Sequence, residues 1–395
     1  MRLTKLDFSS CIGIEVILAS AIAVATAMGQ HSVVSLLFAL SFVIAFLYVG
    51  MDTVNRRKLN ISWFLVLLCV FCVLCNWLIK GNGIGFDYVK KLIMFCAFVF
   101  LLYYATRRDT VVSDTTARII EYAPLAFSLF LVVSYYFLGN NERRGEGLTL
   151  GFSNPNFTGM WLLHCFLFVA LFIIKVFDGA SKWRLLAAPL LPILFSLIQE
   201  TEARGSVVGV IFFLLLLLLG GLLKRIPRVF SFFIAVFPIV YALVYLELID
   251  IEWFRETFSF LESEGKTLDS RVGIWQRSFE FFRVSPILGD YFGISGGTGQ
   301  SQLHNTHIDV LCSYGILALL LFVKFLYDRL ASVLSKAKGL YGNAAVFAFC
   351  AVVIAGSFEA AIVAGAMGLN LLTIAFLCCR TEKECSKRRS IVRRN

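Results

Sequence analysis

Two of the chain's four histidines, His304 and His307, stand three residues apart in "SQLHNTHIDVLCSYG" (301–315), just before a long apolar run. If a helix has begun there, positions i and i+3 share a face. An imidazole is suited to general-base work near neutral pH, and Asn305 between the two can orient a neighbour. The bland alternative is a surface histidine that caps a helix. A metal centre would need more ligands. Asp269, Asp290 and Glu200 are on offer, but without further histidines or tight spacing, so neither metal nor cofactor is expected. Arg204 in "TEARGS" joins two apolar runs with almost no loop, and Gly205 beside it lets a ligand approach the backbone. Arg271 opens "SRVGIWQRSFEFFRVSP", in the first turn of a helix that Asp269 or Ser270 can cap and Pro286 follows. A cation there is misplaced for the helix dipole. At either arginine a guanidinium fork can grip a diphosphate; the alternative for Arg204 is snorkelling to lipid phosphate. Gly265-Lys266-Thr267 is not a nucleotide loop, because Phe260 holds the place of the earlier glycine.

The elements that must position these groups are membrane spans. Hydrophobic residues make up 59% of the chain and charged residues 16%, against about half and about a quarter in soluble domains. Runs such as "VVGVIFFLLLLLLGGLL" (207–223) approach the length that crosses about 30 Å of hydrocarbon. Twelve spans are expected, near 11–29, 32–50, 61–79, 88–106, 118–139, 156–177, 185–200, 205–223, 229–248, 304–326, 342–357 and 360–379. The fold class is thus all-α and polytopic, one membrane domain over 1–395. The split at Gly29–Ser32 is the tightest, and one of the last two runs can be re-entrant. The first apolar run, interrupted by Glu15, is read as an uncleaved helix rather than a signal peptide.

Charge orients the bundle. With the N-terminus inside, most of the 36 basic residues fall on inner segments, such as Arg56–Lys58, Lys224–Arg228 and the tail 380–395, as the positive-inside rule requires. Both termini are then cytoplasmic, and the net charge of +10 needs no nucleic acid. Anionic membrane lipids are partners enough. Seven arginines remain outside: Arg143, Arg144, Arg204, Arg255, Arg271, Arg277 and Arg283. Orientation does not explain that excess, which points to an anionic ligand. Val272, Trp275, Phe279 and Phe282 form an apolar stripe at helical spacing, so the outer loop 249–303 is expected to carry an amphipathic helix lying on the outer face. "GDYFGISGGTG" (289–299) reads as a flexible connector, the alternative being a backbone nest for phosphate. The cysteines of "CVFCVLC" (69–75) read as apolar filling inside a span.

"GFSNPNFTG", "TEARGS", "SRVGIWQ", "SPILGDYFG" and "HNTHIDVLCSYGILALLLF", in this order over roughly 140–330, resemble the O-antigen ligase and Wzy O-antigen polymerase superfamily. The resemblance implies a bacterial inner-membrane glycosyltransferase of the metal-independent, inverting GT-C kind, working outside the cytoplasm in surface polysaccharide biosynthesis. Its donor is then an undecaprenyl-diphosphate-linked glycan, and its acceptor another lipid-linked glycan, the lipid A core of lipopolysaccharide or a protein hydroxyl. Carried over by motif, His304 is the catalytic base and Arg204 and Arg271 engage the donor diphosphate. Asn154 and Asn156 match the Asn-Pro-Asn element near the site. Arg143, Arg144, Asn305 and His307 complete the substrate-binding candidates. Ala203, His307 and Ser313 depart from the residues common in the family, which bears on subfamily. Two other classes are compatible with a multi-pass chain. A polysaccharide flippase or transporter would favour charged residues lining mid-membrane segments and internal repeats, whereas Glu15, Glu121 and His164 are scattered. The other class is a non-catalytic scaffold for envelope assembly.

Overall fold

The computed structural model describes residues 8–56, 60–80, 86–106, 111–152, 154–253, 256, 271–290, 303–359 and 380–381. Apolar runs bounded by glycine, proline and polar clusters become helices: α1 (Phe8–Ala27), α2 (His31–Arg56), α3 (Ile61–Lys80), α4 (Phe86–Ala105), α5 (Asp114–Phe137), α6 (Pro155–Ile174), α7 (Leu190–Glu200), α8 (Arg204–Leu223), α9 (Pro227–Leu248), α10 (Val272–Val284), α11 (Thr306–Lys336) and α12 (Gly339–Ala355). Short strands are β1 (Val111–Val112), β2 (Arg143–Arg144), β3 (Gly147–Leu148) and β4 (Arg380–Thr381). Strand β1 runs parallel to β4, and β2 and β3 form a hairpin.

Among the described residues seven helical stretches are long and apolar enough to cross a membrane. They carry the expected spans at 61–79, 118–139, 156–177, 185–200, 205–223, 229–248 and 304–326. The expected spans 11–29, 32–50 and 342–357 fall on α1, α2 and α12, whose apolar stretches are shorter, and 88–106 falls on α4. The span 360–379 lies outside the described residues. The tight split after α1 is present, with Gly29 at a φ of 70°.

Helix α6 is buried along nearly its whole length, between α5, α7, α8 and α12. Helix α11 packs mainly on α9 and α3, and α12 on α8. Helices α8 and α9 turn Leu214, Leu218, Phe232 and Leu243 outward, where hydrocarbon rather than water must meet them; the chain is a multi-pass membrane protein. At the end opposite the candidate site, Glu121 of α5 takes both Lys175 and Arg184, and the Arg184 guanidinium lies 4.4 Å from the Phe172 ring centre. Asp178 accepts from the Leu340 and Tyr341 amides at 3.0 and 2.8 Å, holding the start of α12.

Sequence reading treats 304–326 as one continuous span, but the structure breaks α11 at Gly315, whose φ and ψ are 86° and 175°. A Cβ there would stand 2.0 Å from the Ile287 carbonyl oxygen, so only glycine fits. The stretch after α10 is bonded into this break. The Ile316 amide donates to the Pro286 carbonyl at 2.9 Å and the Asp290 amide to the Cys312 carbonyl at 2.7 Å. Asn76 of α3 donates to the Leu288 carbonyl at 3.2 Å. Unwound backbone is tolerated among spans when protein satisfies it, and here it anchors α10 against the bundle.

Candidate active site

His304 lies just outside α11. Asn305 is the N-cap: its side-chain oxygen accepts from the His307 and Ile308 amides at 2.9 and 3.1 Å. Its amide nitrogen donates to the Pro238 carbonyl at 2.8 Å and the Ser357 carbonyl at 3.1 Å. All four capacities of a fully buried side chain are thus used to join α9, α11 and the end of α12. The cap forces the preceding residue out of helical geometry, and His304 has a φ of 52°, a strained region for a non-glycine residue that clusters at functional sites.

This corrects the expectation that His304 and His307 share a helix face. The helix begins after Asn305, so the two rings diverge. His307 is fully buried, its Nε2 2.8 Å from the Ala235 carbonyl and its ring edge-on to Phe322. His307 and Asn305 therefore hold α11 in place, whereas His304 faces the site.

The Nδ1 of His304 lies 2.9 Å from one carboxylate oxygen of Glu359, and the other oxygen accepts from Nη2 of Arg271 at 3.1 Å. The Glu359 side chain is 5% exposed, against 18% for His304 and 25% for Arg271. The carboxylate is thus an interior hinge pin, and its two partners reach outward. Arg271 occupies the N-cap position of α10 rather than its first turn, and makes no side-chain cap there; Asp269 and Ser270 lie outside the described residues. Trp275 of α10 donates from Nε1 to the Leu303 carbonyl at 2.7 Å, tying α10 to the residue before His304. The expected stripe is only partly as read: Val272 and Trp275 are buried, and Trp275 packs on Tyr241 and Tyr245 of α9. That face of α10 meets protein.

Arg204 is the first residue of α8, whose N-cap Ala203 supplies no side-chain cap. Such an end favours an anion through its amides and dipole. Two close approaches fix its position. A Cβ on Gly205 would lie 2.6 Å from the Phe358 Cβ, the residue beside Glu359, and one on Gly159 of α6 would lie 2.2 Å from the Ala203 Cβ. Tyr241 lies within electrostatic reach of both Arg271 and Arg204 and touches Phe358, ring centres 4.9 Å apart. The structure therefore brings Arg204, Arg271 and His304 to one end of the bundle. The Asn-Pro-Asn element is on the same side: Asn154 caps α6 by accepting from the Asn156 amide at 2.8 Å. Both asparagines are half-buried. Arg143 and Arg144 stand exposed on β2, and Arg143 is paired with Glu200 at the end of α7, which raises its already high pKa. Among the described residues no three His, Cys, Asp or Glu side chains group to hold a metal ion.

Glu359 is the residue that sequence reasoning missed. A signal was present: it is the sole acidic residue between Asp328 and Glu382, set between two apolar runs, where ionisable groups are rare and usually employed.

Residues 190–323 match the sequence model described as O-antigen ligase. That stretch runs from the start of α7 through Arg204, Arg271 and His304 into α11, and it establishes the likeness to the O-antigen ligase and polymerase superfamily. No curated protein matches the chain.

Proposed function

We propose that this O-antigen ligase-type membrane enzyme transfers glycan from an undecaprenyl-diphosphate carrier to an acceptor hydroxyl at the outer surface of the bacterial cytoplasmic membrane. The observation that carries the reading is the pairing of Arg271 and His304 on one buried carboxylate, with Arg204 at an uncapped helix start nearby. Sugar nucleotides are not supplied outside the cytoplasm, so the donor there is lipid-linked, and its diphosphate lies at the membrane surface. With Nδ1 turned to Glu359, Nε2 of His304 is the nitrogen open to an acceptor. It takes the proton of the acceptor hydroxyl as that oxygen bonds to the donor's anomeric carbon. The bond from that carbon to the diphosphate breaks, with inversion, and the lipid diphosphate leaves. Arg204 and Arg271 stabilise the negative charge that develops on it, the task a divalent cation performs in other transferases. Asn154, Asn156, Arg143 and Arg144 bind the glycan, and Asn305 and His307 hold the chain that presents His304.

Ligase and polymerase differ in acceptor, not in donor chemistry, and both use this arrangement. The test is transfer by purified protein in nanodiscs, with a lipid-diphosphate-linked glycan as donor. His304→Ala is expected to abolish transfer, and Arg204→Lys or Arg271→Lys to reduce it roughly 10- to 150-fold, the scale of one lost charge-assisted hydrogen bond. EDTA is expected to leave the wild-type rate unchanged. Full activity in His304→Ala, or in both lysine variants, would overturn the assignment.

A further inference from the structure

We propose that Glu359 is a positioning residue that couples donor binding to readiness of the base; the proposal rests on the transfer reading above. Glu359 divides one carboxylate between two partners, Nη2 of Arg271 at 3.1 Å and Nδ1 of His304 at 2.9 Å. Its side chain is 5% exposed, so the negative charge is held inside the protein and must keep a partner. Two features prevent it from swinging away. Gly205 packs on Phe358 at a distance that no side chain would permit. The Thr306 amide donates to the Gly356 carbonyl at 3.0 Å, and Asn305 donates to the Ser357 carbonyl. The strand of chain that bears Glu359 and the strand that bears His304 are thus bonded side by side.

Arg271, a quarter exposed, is the member with solvent-facing room to turn outward. A diphosphate offers it several anionic oxygens in the bidentate geometry that guanidinium favours, where Glu359 offers one. When Arg271 turns to the donor, the carboxylate keeps His304 as its hydrogen-bond partner. The imidazole is then fixed with Nδ1–H towards Glu359 and Nε2 towards the acceptor hydroxyl. When the hydroxyl proton arrives on Nε2, the imidazolium charge forms beside a carboxylate no longer shared with arginine. The acceptor is thereby activated when the donor is seated, and the order of events is written into one side chain. Glu359 touches neither substrate.

The decisive variant is Glu359→Gln, which keeps size and an oxygen for Nδ1–H but removes the charge that competes with the donor for Arg271. The expected result in nanodiscs is a donor KM about tenfold lower together with a kcat about 100-fold lower. A merely structural role predicts a lower kcat with an unchanged or raised donor KM, and that result overturns the proposal, as does wild-type kcat. If Glu359→Gln does not accumulate, Glu359→Asp serves: its shorter arm cannot span both partners, so kcat should fall at least about tenfold together with a lower donor KM, and wild-type kcat, or an unchanged or raised donor KM, again overturns it. Absence of transfer by the wild type, or wild-type transfer by His304→Ala, sinks the transfer reading itself. Loss in His304→Ala without the KM and kcat signature in the Glu359 variants sinks only the coupling.

Discussion

Replacing Asn305 by Asp tests whether the site is held by the four hydrogen bonds of one buried side chain. The substitution preserves volume and preserves the cap, since a carboxylate oxygen accepts from the His307 and Ile308 amides as the amide oxygen does. It removes the two donors that satisfy the Pro238 and Ser357 carbonyls. A buried acceptor stripped of its donor costs about 1–3 kcal/mol, so two cost about 2–6 kcal/mol, and the carboxylate faces two carbonyl oxygens besides. Asn305 is fully buried, so water does not readily replace the lost donors. Because Ser357 and Pro238 flank Glu359 and the Tyr241 side of the site, the damage should reach function: transfer should fall more than thermal stability alone explains. The assay pairs the midpoint of thermal unfolding in detergent with the transfer rate measured well below that midpoint. An Asn305→Asp protein that melts and transfers like the wild type would refute the inference that these donors fix the His304 backbone.

Gly315→Ala places a Cβ 2.0 Å from the Ile287 carbonyl oxygen at a φ of 86°; strain and overlap together should cost about 2–6 kcal/mol, read as lost folded protein by size exclusion. Glu121→Ala leaves the nearly buried Arg184 without its counter-charge and should destabilise by about 3–5 kcal/mol in the same melt, and an unchanged midpoint would remove that cluster's structural role. Arg143→Gln breaks a pair whose side chains are 44% and 40% exposed, so stability should change by less than about 1 kcal/mol; a substrate KM that does not rise would remove Arg143 from the glycan site. A cysteine at Glu146 should react with an impermeant maleimide from outside and one at Arg225 only after permeabilisation, and the inverse pattern would overturn both orientation and mechanism.

Composition and run length alone determined that the chain is a helical multi-pass membrane protein, because apolar residues in stretches of this length have no other stable home. The motif order marked Arg204, Arg271 and His304, and the structure sets all three at one end of the bundle. Helix starts were less legible. The histidine pair looked like one helix face until the Asn305 cap, satisfied from α9 and the end of α12, placed the boundary between them. The break at Gly315 was equally hidden, since a lone glycine in an apolar run does not reveal that the Ile287 carbonyl will press against it. Glu359 is the clearest case. It stands 55 residues after His304 and 88 after Arg271, with nothing local to link them. Only the packing of α12 beside the start of α11 brings its carboxylate to both, because a charge buried among helices must find its partners in space rather than along the chain.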